Sequence, residues 1–167
     1  NTLPEISGCS VSPGGPDTTD DLVATPIGFY DADGDAEAYE YIWYIDAGTG
    51  FVADTSTTSA TYPSTDTVKG TDIYADCIPV DSYGSGPAES TSTVTVENTK
   101  PVITGCEITT SSGGFFTSDD LIGSIIGWDD PDGDTSDNSI FVWYINGLAQ
   151  SMSVPEILST ETHKGDQ

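Results

Sequence analysis

The sequence predicts an all-β protein of two tandem β-sandwich repeats, the second incomplete at its C-terminus. Three observations lead there. Ser and Thr make up 42 of the 167 residues, with 18 Gly and ten Pro against three Lys and no Arg. That usage excludes helical bundles, coiled coils and most α/β enzymes. The chain also repeats itself at an offset near 100 residues. Within a repeat, about seven short segments are divided by turn signals every 8 to 12 residues, the pattern of a sandwich.

Five anchors carry the repeat, in the same order. Asn1-Thr2-Leu3-Pro4-Glu5-Ile6-Ser7-Gly8-Cys9 returns as Asn98-Thr99-Lys100-Pro101-Val102-Ile103-Thr104-Gly105-Cys106. Asp20-Asp21-Leu22 returns as Asp119-Asp120-Leu121, and Asp31-Ala32-Asp33-Gly34-Asp35 as Asp130-Pro131-Asp132-Gly133-Asp134. Ile42-Trp43-Tyr44-Ile45 returns as Val142-Trp143-Tyr144-Ile145, and Lys69-Gly70 as Lys164-Gly165. The small drifts in offset mark loops that accept insertions. Repeat one spans 1–97 and repeat two 98–167.

In the first repeat, Ile6 to Ser12 alternate as a first strand. Leu22, Ala24 and Ile27 to Phe29 form a second, and Tyr39 to Asp46 a third. Ile73 to Val80 is a later strand and Thr91 to Val96 a last one. Gly- and Pro-rich stretches at 12–17, 46–50 and 82–87 are turns. Trp43 and Trp143 sit where such sandwiches place a packing centre, with sugar stacking as the alternative role. Trp128, just before an acidic loop, is expected to anchor core or loop.

Repeat two has no counterpart of Ile73–Val80 or Thr91–Glu97. A sheet without those strands exposes an unpaired edge and half its core. Three explanations fit: a fragment of a longer array, strands supplied by a neighbouring chain, or an alignment that fails at this end.

The three cysteines fit the same arithmetic. Cys9 and Cys106 are repeat equivalents, and Cys77 lies on the penultimate strand. One internal bridge per repeat pairs Cys9 with Cys77 and leaves Cys106 without a partner; free buried thiols are the alternative. A bridge of this span is worth roughly 4 kcal/mol by loop-closure entropy.

Net charge is −25. Such a chain repels nucleic acid and anionic membranes and attracts cations. No apolar run is long enough for a membrane helix, and no signal peptide is evident. This leaves an extracellular or cell-surface protein as the expectation.

The strongest chemical signal is the pair of acidic loops. Asp31, Asp33 and Asp35, and again Asp130, Asp132 and Asp134, space carboxylates two residues apart around a glycine. Such spacing can wrap oxygens about one hard cation. Ca2+ takes about six to eight oxygens, so these supply part of a shell. Mg2+ demands tighter octahedral geometry, and transition metals prefer His or Cys. In a sandwich, the loop between the second and third strands lies at the end where the chain starts and where the loop carrying Asp81 turns. The expected ligands are therefore Asp31, Asp33, Asp35 and Asp81 in repeat one, and Asp129, Asp130, Asp132 and Asp134 in repeat two, near the entrance to that repeat. Solvated turn aspartates are the alternative, but five carboxylates within about 10 Å repel strongly without a counterion. Asp17, Asp20, Asp21, Asp119 and Asp120 form a second acidic set, expected as turn and surface residues, with a weaker cation site as the alternative.

The Asn-Thr-x-Pro start, the Asp-x-Asp-Gly-Asp loop, the Trp-Tyr-Ile strand and the Lys-Gly turn together resemble bacterial immunoglobulin-like (cadherin- and PKD-like) tandem repeats of large extracellular proteins. The stretch Val94-Thr95-Val96-Glu97-Asn98-Thr99-Lys100-Pro101 is similar to cadherin-type linkers, without their fuller acidic pattern. The resemblance implies tandem immunoglobulin-like β-sandwich domains in an extracellular array.

The function expected first is a structural, calcium-stiffened repeat of a surface fibre, stalk or adhesin. Its partners would be neighbouring repeats or identical subunits, with filaments formed by strand complementation as one version, and a cell-surface or glycan ligand. The alternative is a carbohydrate-binding or accessory module of a secreted enzyme, which requires aromatics on one exposed face. A hydrolase ranks last: the single His163 builds no Ser-His-Asp or Cys-His set. No Asn-x-Ser/Thr sequon is present.

Overall fold

The computed structural model describes residues 1–135, 139–151 and 153–167. It is all-β, with several antiparallel sheets. The chain divides into two compact units, Asn1–Thr99 and Lys100–Gln167.

Unit 1 begins with β1 (Gly8–Ser12), β2 (Leu22–Ile27), β3 (Tyr39–Asp46) and β4 (Val52–Asp54). It continues with β5 (Thr61–Tyr62), β6 (Asp72–Pro79), β7 (Glu89–Ser90) and β8 (Val94–Thr95). One sheet has the order β1-β2-β5; the other has β4-β3-β6-β7, with β8 also on β6. Period-two alternation places the core between them. On β6, Ile73, Ala75, Cys77 and Pro79 point inward and the residues between them are half-buried. Opposite, Leu22 and Ala24 of β2 and Ile6 complete the same cluster with Trp43, Tyr62, Val94 and Val96. Trp43 is 0 % exposed, and its Nε1 donates to the Ser59 carbonyl at 2.9 Å. Its place is therefore core packing, with its polar edge satisfied. Cys9 and Cys77 are joined by a disulfide across the two sheets, with Cα atoms 6.0 Å apart.

Unit 2 contains β9 (Gly105–Thr110), β10 (Leu121–Ile126), β11 (Tyr144–Ile145), β12 (Leu148–Ala149) and β13 (Glu156–Ile157). Its pairings copy those of unit 1. Leu22 lies opposite Tyr62 and Leu121 opposite Ile157. Asp21 Oδ1 accepts the Ser64 N–H at 2.7 Å, and Asp120 Oδ1 accepts that of Ser159 at the same distance. Trp143 Nε1 donates to the Val154 carbonyl at 2.9 Å, as Trp43 does to Ser59. The Ser7 hydroxyl donates to the Ile27 carbonyl, and that of Thr104 to Ile126.

The second acidic set serves these turns. Asp17 Oδ1 accepts both the N–H and the hydroxyl of Thr19, and Asp20 accepts the Asp17 N–H. Asp119 departs from the expected surface position. It is buried, where it accepts bonds from the Ser112 hydroxyl and the Phe116 N–H. Among the described residues, no helix is long and apolar enough to cross a membrane.

Candidate metal centre

The Asp31–Asp35 loop is shaped by its first carboxylate. Asp31 Oδ1 accepts the N–H groups of Asp33 at 2.8 Å and Asp35 at 3.1 Å, closing the turn from inside. Gly34 takes φ +80°, a left-handed conformation that a residue with a Cβ resists. The other oxygen, Asp31 Oδ2, is buried and has no hydrogen-bond partner. A buried carboxylate oxygen left without a donor is costly unless something positive satisfies it.

A second loop brings the third carboxylate. Val80 donates its N–H to the Ala38 carbonyl, which ties the exit of β6 to the approach to β3. Asp81 follows, and its Oδ1 accepts the N–H groups of Tyr83 and Gly84. Its Oδ2 accepts a bond from Asn1 Nδ2 at 2.7 Å. Desolvation works to push the Asp81 pKa up, but the bonds from Asn1, Tyr83 and Gly84 outweigh it and hold it below the usual aspartate range.

The result is a converging set. Asp31, Asp35 and Asp81 each present a carboxylate oxygen within 4.8 Å of the others, all three half-buried. Asp35 and Asp81 also line a cleft of about 280 Å³ with Ala36, Ala38, Val80 and Ser82. Asp33 falls outside the set, because its carboxylate accepts the backbone N–H of Thr2 instead.

In unit 2, Asp130, Asp132 and Asp134 converge within the same 4.8 Å limit. Asp130 Oδ1 accepts the Asp132 N–H at 2.9 Å, and Gly133 takes φ +72°, repeating the first loop. Asp129 is outside this group: its backbone pairs with Val102 in both directions. Both converging sets offer hard oxygen donors alone. That chemistry fits a calcium-type cation, completed by water or backbone oxygens, and does not fit a metal that needs nitrogen or sulfur. The buried, unpartnered Asp31 Oδ2 makes the unit 1 set the better fit.

Two further groups of side chains bear on function. On the outer face of the larger sheet, Tyr44 and Tyr74 stack at 4.7 Å between ring centroids with planes 9° apart. Phe51 meets Tyr74 edge-on at 4.9 Å. Burial, then the neighbouring Asp76 carboxylate, pushes the Tyr44 hydroxyl pKa up. Cross-strand pairing of Tyr44 with Tyr74 brings these rings together. Their parity was the available signal, since each directly adjoins a buried neighbour, Trp43 or Ile73. His163 is 82 % exposed, with Asp166 Oδ2 3.7 Å from its Nδ1.

No family model matches the chain, and no curated protein matches it.

Proposed function

We propose that this chain is a structural repeat of an extracellular fibre, stalk or adhesin, built from immunoglobulin-like domains and stiffened by calcium. The observation that carries the reading is the convergence of Asp31, Asp35 and Asp81 around a buried, unpartnered carboxylate oxygen. Those residues come from two loops at one end of the unit 1 sandwich. A divalent ion there crosslinks the β2–β3 and β6–β7 connections and neutralises part of a −25 charge. The Cys9–Cys77 bridge fits an oxidising compartment.

The test is thermal unfolding of the whole chain in excess calcium and in EDTA, for the wild type and for Asp35→Asn. At a hundredfold excess over the dissociation constant, calcium stabilises by about 2.7 kcal/mol. Asp35→Asn should lose most of that gain and leave the EDTA melt little changed. Equal melts of the wild type in calcium and EDTA would reduce the carboxylates to solvated turn residues and sink the proposal.

A carbohydrate-binding or accessory module is the second reading, favoured by the Tyr44–Tyr74–Phe51 surface with Asp76 beside it. It predicts glycan binding that Tyr74→Ala abolishes without moving the melting temperature by more than a few degrees.

A further inference from the structure

The outer face of the larger sheet of unit 1 sets aromatic rings between carboxylates. Along β6, Ile73, Ala75 and Cys77 point into the core, so Asp72, Tyr74 and Asp76 point away from it. The ladder with β3 places Asp46 opposite Asp72, Tyr44 opposite Tyr74 and Ile42 opposite Asp76. Like charges directly opposite each other weaken a ladder. The two aspartates on one side of the ring pair are therefore a local cost, and Asp76 adds a third charge on the other side.

Neutral donors orient these carboxylates. Asp46 Oδ1 accepts the N–H groups of Gly48, Thr49 and Gly50. Asp72 accepts the Thr95 hydroxyl and Asp76 the Ser90 hydroxyl, both at 2.6 Å. These bonds hold the charges in place without neutralising them. Lys69 is the only lysine before position 100, and its Nζ donates to Asn98. None of the three aspartates belongs to either converging metal set, so one shared ion is not the counter-charge.

The rings between them suit a flat cation. Tyr44 and Tyr74 lie 4.7 Å apart with planes 9° from parallel. That separation matches the spacing of neighbouring strands, so the rings stand face to face and form no flat platform for a pyranose. Phe51, 43 % exposed, meets Tyr74 edge-on. Opposite Tyr44 on β4 stands Ala53, exposed and small, which leaves room beside the Tyr44 ring.

We infer that this face binds an extended basic segment of a partner protein, with one arginine stacked on the Tyr44–Tyr74 pair and a basic side chain two residues to either side meeting Asp46–Asp72 and Asp76. An extended chain turns every second side chain to the same side, which matches this spacing. Asp72 and Asp76 are roughly 13 Å apart along the strand, too far for a single small cation to meet both. A guanidinium is planar, stacks on aromatic faces and bonds carboxylates in a fork, whereas an ammonium is a point charge. The net charge of −25 draws such a segment in. This names the partner class of the adhesin reading and rests on that reading for its setting, but it uses neither metal set.

The test titrates the full chain, in EDTA, with the capped peptide Arg-Ser-Arg-Ser-Arg, followed by amide chemical shifts. Saturable shifts should centre on β3 and β6. Replacing the central arginine by citrulline, of the same shape without charge, should weaken binding at least about tenfold, and lysine there should weaken it less. Tyr44→Leu/Tyr74→Leu and Asp72→Asn/Asp76→Asn should each weaken it about tenfold or more. Glu107→Gln/Glu156→Gln in unit 2, with the same loss of charge, should change it less than about twofold. Should the ring variant fail to fold, the citrulline comparison on the wild type still decides. Equal binding of the arginine and citrulline peptides, equal weakening by the two charge-removing variants, or shifts centred on the acidic loops would overturn the proposal. A neutral oligosaccharide that saturates this face where the arginine peptide does not would assign it to a glycan and overturn it too. Peptide binding without any calcium stabilisation would sink the cation reading alone, and calcium stabilisation without peptide binding would sink this inference alone.

Discussion

Opening the Cys9–Cys77 bridge is the sharpest perturbation of unit 1. The bridge spans a sequence separation of 68 residues. Loop-closure entropy for that span stabilises the folded unit by about 4 kcal/mol. With a urea dependence of about 2 kcal/mol per molar for a domain of this size, the midpoint should fall by about 2 M. The chain is unfolded and refolded with a reducing phosphine, then titrated with urea. Hydrogen exchange is read by mass spectrometry on peptides from β3 and β6. Cys9→Ala/Cys77→Ala should give a similar or larger fall, because Cys77 is fully buried and its truncation adds a packing loss. Peptides from β9 and β10 serve as the internal control, since unit 2 holds no internal bridge. A fall below about 0.5 M, near 1 kcal/mol, would mean that the unfolded chain is already restrained, and the entropic argument would fail. An equal fall in the β9 and β10 peptides would mean that the loss does not come from the bridge.

Two other predictions concern unit 1. Burial, then the bond and charge of Asp54, pushes the Tyr62 hydroxyl pKa far up, burial does the same for Tyr39, and burial also raises Tyr41 and Tyr44. A raised phenol pKa contributes stability that is fully present below the unfolded value, about 10, and is lost as pH rises beyond it. Unfolding above pH 10 should therefore coincide with the ultraviolet titration of tyrosinate. Tyr62→Phe should cost about 1 kcal/mol at neutral pH and flatten that alkaline fall, because it removes the 2.8 Å bond to Asp54. Gly86→Ala should cost more than about 2 kcal/mol in urea titration. The added Cβ would stand 1.7 Å from the Pro4 carbonyl oxygen, and backbone cannot swing aside as a side chain can.

The longer strands were legible because alternation survives in them. Ile73 to Pro79 bury every second residue, and on β3 the buried Trp43 shares its parity with Tyr39, Tyr41 and Ile45, which pack against the core. The short pieces β4, β5, β7 and β12 carry two or three residues, too few for any period. Their place is set by neighbours, as Tyr62 is set by Leu22. The acidic loop was legible as a motif, but its membership was not. Spacing alone cannot tell that Asp33 turns to the Thr2 N–H while Asp35 turns to Asp81. The stacked Tyr44 and Tyr74 depend on cross-strand register, which the sequence of either strand leaves undetermined.

One strand couples these features. β6 pairs with β3, β7 and β8, carries Cys77, and leads directly to the Asp81 carboxylate four residues later. The acidic group of unit 2, by contrast, draws all three carboxylates from a single loop. Asp81→Asn should therefore remove the carboxylate that the unit 1 set takes from a second loop. Calorimetric titration of calcium into the full chain should show a weaker unit 1 site in the variant, with the Asp130, Asp132 and Asp134 group unchanged. Equal calcium affinity in the variant and the wild type would mean that the connection after β6 supplies no ligand, and the convergence of the two loops would carry no cation.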